Sequence, residues 1–174
     1  LDGLAAGLSG IAAAAFGVFA YILGRTDLTS YLNVFYLPGA GELTVFCAAL
    51  MGGAIGFLWF NAYPAQVFMG DTGSLAIGGA LGTVAILLKA EFLLVLVGGV
   101  FVAETVSVAL QTGVYKWFKR TRGKEYADGH RVFRMAPLHH HFEKLGWAET
   151  TVVTRFYILG ILCALIALGT LKVR

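Results

Sequence analysis

Five stretches of the chain are apolar for close to the length of a membrane-spanning helix: residues 4–23, 42–60, about 72–88, 92–115 and 152–171. A bilayer core about 30 Å thick takes roughly 20 helical residues, and the polar residues fall between these stretches instead of alternating within them. The pattern predicts an all-α, polytopic membrane helical bundle with five transmembrane helices, residues 1–174 forming one integral membrane domain. The third stretch is the shortest. Its uninterrupted apolar part, 75–88, rises only about 21 Å as a helix, so its start is expected below the membrane surface, or the bilayer to thin there. Glycine is frequent in the runs, at Gly52, Gly53, Gly56, Gly78, Gly79, Gly82, Gly98 and Gly99. Small residues let membrane helices pack closely, and these are the glycines expected at helix contacts. No repeat and no low-complexity tract is evident.

Composition strengthens the reading. The chain is 58% hydrophobic and 13% charged, against roughly 25% charged residues in soluble domains. The basic residues give it a direction. Residues 116–150 carry Lys116, Lys119, Arg120, Arg122, Lys124, Arg131, Arg134 and Lys144, whereas 24–41 has only Arg25 and the turn after the third run only Lys89. Positive charge collects on the cytoplasmic side, so 116–150 is expected to be a cytoplasmic loop. Alternation then puts 61–71 and the N-terminal "LDG" on the same face, with Lys172 and Arg174 outside against the trend. Cys47 and Cys163 lie inside apolar runs and read as small buried hydrophobes. Nothing suggests nucleic acid as a partner.

Three polar motifs therefore share one face. In "FMGDTGS", Asp71 stands between Gly70 and Gly73 at the start of the short third run. It suits a helix N-cap. It also suits a phosphate site, where backbone N–H groups meet the anion and the carboxylate holds Mg²⁺, an ion often bound by one or two carboxylates plus substrate phosphates. Asp2, at the head of the first run, reads equally as a cap. Glu104 lies mid-run, where an ionisable side chain is costly and usually lines a cavity. Ser107 and Gln111 share its stripe, so the three line a cleft or tie helices together. In "PLHHHFEKLG", adjacent histidines diverge by about 100° on a helix. His139, His140 and His141 should then fan out, with no cysteine nearby to complete a zinc site. A phosphate-handling surface helped by Arg131, Arg134 and Lys144 fits better, with a solvated basic loop as the plain alternative.

Together, "NAYPAQVFMGDTGSLAIGGALGT", "FVAETVSVALQ" and "FRMAPLHHHFEKLGW" resemble the bacterial phospho-N-acetylmuramoyl-pentapeptide-transferase family, within the polyprenyl-phosphate N-acetylhexosamine-1-phosphate transferases. The resemblance implies Mg²⁺-dependent transfer of phospho-MurNAc-pentapeptide from UDP-MurNAc-pentapeptide to undecaprenyl phosphate, giving lipid I and UMP. It implies a multi-pass protein of the bacterial cytoplasmic (inner) membrane, its active site facing the cytoplasm, and is compatible with a homodimer. Asp71 takes the place of the metal-ligating aspartate. Leu1 and Asp2 match a loop at the uracil pocket, Phe68 an aromatic that stacks on the base, and His139, His140 and His141 a motif near the nucleotide-sugar phosphates. Asn61, Gly70, Glu104 and Gln111 fall at substrate-side positions. The first residue is Leu1 and the family's N-terminal half has no counterpart, so the chain is expected to be the C-terminal half of a larger transferase, inactive alone. "RTRGKEYADGH" is longer than the family's usual connection there. A sister transferase using UDP-GlcNAc is the nearest alternative; a transporter or channel subunit with Glu104 and Gln111 lining a pore is the non-enzymatic one.

Overall fold

The computed structural model describes residues 1–172, and in it the first apolar run becomes the axis of the bundle. Helix α1 (Leu4–Leu23) is rich in alanine, a strong helix former with little bulk. Ala6, Ala13, Phe16, Phe19 and Ala20 are fully enclosed. After the short α2 (Thr26–Leu32), α3 (Ala40–Asn61) returns antiparallel along α1. The seam between them is made of glycine. A methyl group at Gly10 would sit 3.5 Å from the Ala54 Cβ, at Gly17 3.3 Å from the Cys47 Cβ, and at Gly24 only 2.4 Å from the Gly41 amide nitrogen. Gly3 continues the series against Leu58, at 2.9 Å. These glycines recur every seven residues, the spacing that holds a contact on one stripe as two helices follow each other.

The seam corrects the expectation about glycine. At Gly52, Gly53, Gly56, Gly78, Gly79 and Gly82 an added Cβ meets nothing within 4 Å. Abundance within an apolar run does not reveal which face a glycine occupies; its period does, and the sevenfold repeat in α1 was the signal to read. Of the expected positions, Gly98 and Gly99 are close-packed, with Gly99 2.9 Å from the Cys163 Sγ.

Helix α4 (Gly70–Leu87) leans on α1, and the fourth apolar run then breaks. In place of one helix over 92–115 there are two, α5 (Glu91–Val97) and α6 (Gly99–Arg122), bent by 83°. Seven residues rise about 10 Å, so α5 cannot cross a bilayer by itself. Gly98 forms the elbow, where a side chain would press on the Leu94 carbonyl at 2.8 Å. The basic segment 116–150 is more ordered than a loop: α6 runs into it, and α7 (Lys124–Gly129) and α8 (Leu138–Lys144) follow. Finally α9 (Glu149–Gly169) packs on the other side of α1 and ends in a 3₁₀ turn, Thr170–Lys172.

Two apolar clusters result. The larger joins α1, α3, α4, α5 and α9 around Phe16, Phe19 and Leu88; the smaller gathers Leu4, Leu8, Val100, Val152 and Phe156 where the starts of α1, α6 and α9 meet. Outward surfaces stay apolar, with Trp59, Leu75 and Phe92 almost bare, as suits helices whose solvent is lipid. Four helices are long and apolar enough to cross a membrane, five if α5 and α6 count as one broken span. The chain is an all-α polytopic membrane bundle, and among the described residues there is no strand.

The seam makes a prediction. Gly24→Ala should lower the unfolding temperature in detergent by several degrees, since overpacking costs about 1–3 kcal/mol and Gly41 offers only backbone to displace. Gly52→Ala should leave it unchanged or raise it. Equal effects of the two would mean that the glycine ladder does not set the α1–α3 distance.

Candidate functional site

Hydrogen bonds to backbone groups knot the head of α1 to the end of α3, to the segment beyond it and to α9. The Gly3 N–H donates to Asn61 Oδ1 (3.1 Å) and Asn61 Nδ2 donates to the Val67 carbonyl (2.7 Å). The Ala65 N–H donates to Asp2 Oδ2 (2.9 Å), and the Asp2 N–H donates to Glu149 Oε1 (2.7 Å) at the start of α9. Tyr157 of α9 adds a fifth, its hydroxyl donating to the Gly3 carbonyl at 2.6 Å. Asp2 is therefore not the cap of α1. That position belongs to Gly3, at φ 77, a left-handed conformation that glycine adopts without strain. Asn61 is buried, and both ends of its amide serve the chain's own backbone. Leu1 packs partly buried on the smaller apolar cluster.

The knot fixes residues 61–67, and the residues that follow project freely. Phe68 is 77% exposed, and Gly70 opens α4 at φ 64. Asp71 does not cap α4 through its side chain; the cap position is Met69, and Asp71 lies in the first turn. There its charge faces the positive end of the helix dipole. The carboxylate is exposed, and among the described residues it has no hydrogen-bond or ion-pair partner. Beside it lies a cavity of ≈ 400 Å³ between α1, α4, α5 and α6, walled by Ala5, Ile77, Leu81, Leu94 and Phe101, with Met69 and Ser74 on its rim. No three His, Cys, Asp or Glu side chains gather as a metal-ligand set among the described residues. An ion at Asp71 would be held by that one carboxylate and by oxygens of a ligand, which is how Mg²⁺ is commonly bound.

The histidines hang from α6. Gln111 exchanges two hydrogen bonds with Phe133, its Nε2 donating to the Phe133 carbonyl (3.0 Å) and its Oε1 accepting the Phe133 N–H (2.9 Å). Seven residues earlier on the same stripe, Glu104 Oε1 accepts the His139 N–H at 3.1 Å. Ser107, between them, donates back to the Glu104 carbonyl. Of the two readings of this stripe, the structure realises the tying one, and what it ties is the histidine segment. The imidazoles only partly fan out: each meets a different partner, His139 Glu104, His140 Glu143 and His141 the Arg134 peptide, but the His139 and His140 rings lie 4.3 Å apart between centroids. The basic helpers are less available than expected. Arg134 donates to the Lys144 carbonyl, and Arg131 lies beside Asp128 and over the Tyr115 ring. Lys144 is exposed.

Glu149, Tyr157 and Glu143 were missed in the sequence. Glu149 opens the last apolar run and reads as a helix-start acid, and Tyr157 looks like one more aromatic in a lipid-facing stretch. Their spacing of eight residues places both on one helical face, the one signal that could have paired them.

Fold and site together define a membrane-embedded helical protein whose polar groups form two sets, one at the heads of α1 and α9 with the segment after α3, the other along α6 and the histidine segment, while Asp71 stands on the first turn of α4. The chain belongs to Glycosyl transferase family 4, which residues 1–89 of the 174 match. Over its whole length it is 68% identical to the phospho-N-acetylmuramoyl-pentapeptide-transferase of Gemmatimonas aurantiaca, covering 46% of that protein. It is 58% identical to the proteins of the same name from Desulfosudis oleivorans and Maricaulis maris, covering 46% and 45% of them. The chain thus spans a little under half the length of the curated relatives it matches.

Asn61→Ala should expose how far the knot organises the approach to Asp71. It strands the Gly3 N–H and the Val67 carbonyl, at about 1–3 kcal/mol for each buried group left unpaired. Amide hydrogen exchange over residues 62–69 should accelerate by at least tenfold while the middle of α1 stays protected. Unchanged exchange there would show that the segment is ordered without Asn61.

Proposed function

We propose that the chain forms the C-terminal part of a phospho-N-acetylmuramoyl-pentapeptide-transferase. Such an enzyme moves phospho-MurNAc-pentapeptide from UDP-MurNAc-pentapeptide to undecaprenyl phosphate, the first membrane-bound step of peptidoglycan synthesis. The observation that carries the reading is Asp71: an exposed carboxylate with no partner among the described residues, on the first turn of α4, between Met69 and Ser74, which line an apolar cavity. The close relatives of that name support it. In the reaction an oxygen of the lipid phosphate forms a new bond to the sugar-side phosphorus, and the bond from that phosphorus to UMP breaks.

The residues divide the work. Asp71 would hold Mg²⁺, which would supply charge neutralisation for the negative charge that builds on a departing UMP. The apolar cavity takes the first isoprene units of the lipid and so brings its phosphate to the rim. Phe68 offers an exposed ring for the uracil to stack on. The knot of Asp2, Asn61 and Glu149 keeps the segment bearing Phe68 and Asp71 in place, which lowers the cost of ordering substrate. The histidine segment faces the phosphates. No side-chain nucleophile is needed, since the acceptor is already an anion. The basic end of α6 supports a cytoplasmic orientation for this face in a bacterial inner membrane.

The test joins the chain in register behind the N-terminal half of the Gemmatimonas aurantiaca relative. That hybrid should form lipid I from UDP-MurNAc-pentapeptide, and Asp71→Asn should reduce turnover by orders of magnitude with its unfolding temperature nearly unchanged. Because Asp71 makes no capping bond, stability and activity are separable at this residue. An Asp71→Asn hybrid with near-normal transfer would sink the reading. The membrane orientation has its own check. Single cysteines at Ala65 and Gly129, with Cys47 and Cys163 removed, should react with an impermeant reagent only after spheroplasts are opened.

A further inference from the structure

The three histidines differ in what faces their Nδ1 atoms. His140 Nδ1 lies 2.6 Å from Glu143 Oε2. An ionised carboxylate only accepts, so the nitrogen must carry the proton. His141 Nδ1 lies 3.1 Å from the Arg134 peptide nitrogen, which donates to it. That nitrogen must be bare, and the proton of the neutral ring sits on Nε2. His139 Nδ1 lies 3.2 Å from Glu104 Oε2, the side chains only 18% and 14% exposed. The ring edge is not aimed along that line, and neither atom has another partner. A bare Nδ1 would nevertheless leave a partly negative nitrogen 3.2 Å from a carboxylate oxygen in a buried place, which is costly. The carboxylate is the one acceptor an Nδ1 proton can find, so the proton belongs there. Tautomers follow from partners in this way throughout proteins.

We propose that the chain holds its consecutive histidines in two tautomers. His139 and His140 are protonated on Nδ1 by virtue of Glu104 and Glu143, and His141 is protonated on Nε2 by virtue of the Arg134 peptide. Glu104 and Glu143 are then positioning residues. The chemical consequence, which rests on the phosphate-handling reading, is that the three rings are not interchangeable. A phosphate oxygen without a proton can only accept a hydrogen bond. Among the neutral rings only His141 offers it an N–H at Nε2. His139 and His140 present lone pairs there, which suit a hydroxyl or a proton in transit.

The experiment needs no substrate, so it stands or falls apart from the transferase reading. The chain, carrying ¹⁵N-histidine in detergent micelles, is studied by long-range ¹H–¹⁵N correlation at a pH well above the ordinary histidine range, with assignments from single histidine replacements. His139 and His140 should show the Nδ1–H pattern, against the preference of a free imidazole for Nε2–H. His130 should join them, because its Nδ1 faces the Tyr126 carbonyl at 3.0 Å. His141 alone should show Nε2–H. Glu104→Gln, whose amide oxygen stays on the His139 N–H, should shift His139 toward Nε2–H and leave His140 and His141 as they were, and Glu143→Leu, which has no acceptor, should do the same for His140 only. An Nε2–H form of His139, or an Nδ1–H form of His141, in the unaltered chain would overturn the assignment. So would variants that leave both rings unmoved. If Glu104→Gln fails to fold, the unaltered spectrum and Glu143→Leu still decide.

Discussion

The distance between α1 and α3 is set by an absence of side chains, and the placement of the polar groups depends on it. Gly10, Gly17 and Gly24 let the α3 backbone settle against α1, where many weak dispersion contacts replace a hydrophobic driving force that lipid does not supply. The ladder ends on Gly3, which is also the centre of the knot. Its N–H goes to Asn61 and its carbonyl to Tyr157. A helix pair brought together by small residues therefore terminates in a hydrogen-bonded junction of three helices. Were the two helices an ångström further apart, those bonds would lengthen past their useful range.

Around that junction the polar residues separate into two kinds. Asp2, Asn61, Glu104 and Gln111 each spend their side chains on backbone groups of distant segments. Phe68 and Asp71 spend theirs on no partner among the described residues. The first group builds a frame and the second stands clear of it. Both sorts resemble substrate-side positions in sequence, since a residue that holds a loop beside a substrate is under the same chemical demands as one that touches it.

The helical class and the apolar runs were legible because each depends on composition over many residues. The five-run pattern is of this kind. What escaped was relational. The 83° elbow at Gly98 interrupts a run that is apolar on both sides of it, so hydropathy has nothing to register. The close-packed glycines of α1 were masked by more numerous glycines elsewhere. Asn61 and Glu149 showed their residue types but not their partners, which lie 58 and 147 residues away from them along the chain. The family resemblance marked the candidate segments. It did not say that Glu104 would bond the His139 peptide, or that each imidazole would meet a different neighbour.

The elbow also acts as a lever. Gln111 stands thirteen residues beyond Gly98, so as a helix the arm between them is about 20 Å long. A rotation of about 5° at the pivot would carry the far end, and the Phe133 peptide bonded to it, through roughly 1.7 Å by that geometry. Glu104, less than half as far along, would move less than half as much. A small angular adjustment deep in the bundle is thereby converted into a graded displacement across the histidine segment. It is largest where Gln111 grips the incoming segment and smallest beside the cavity.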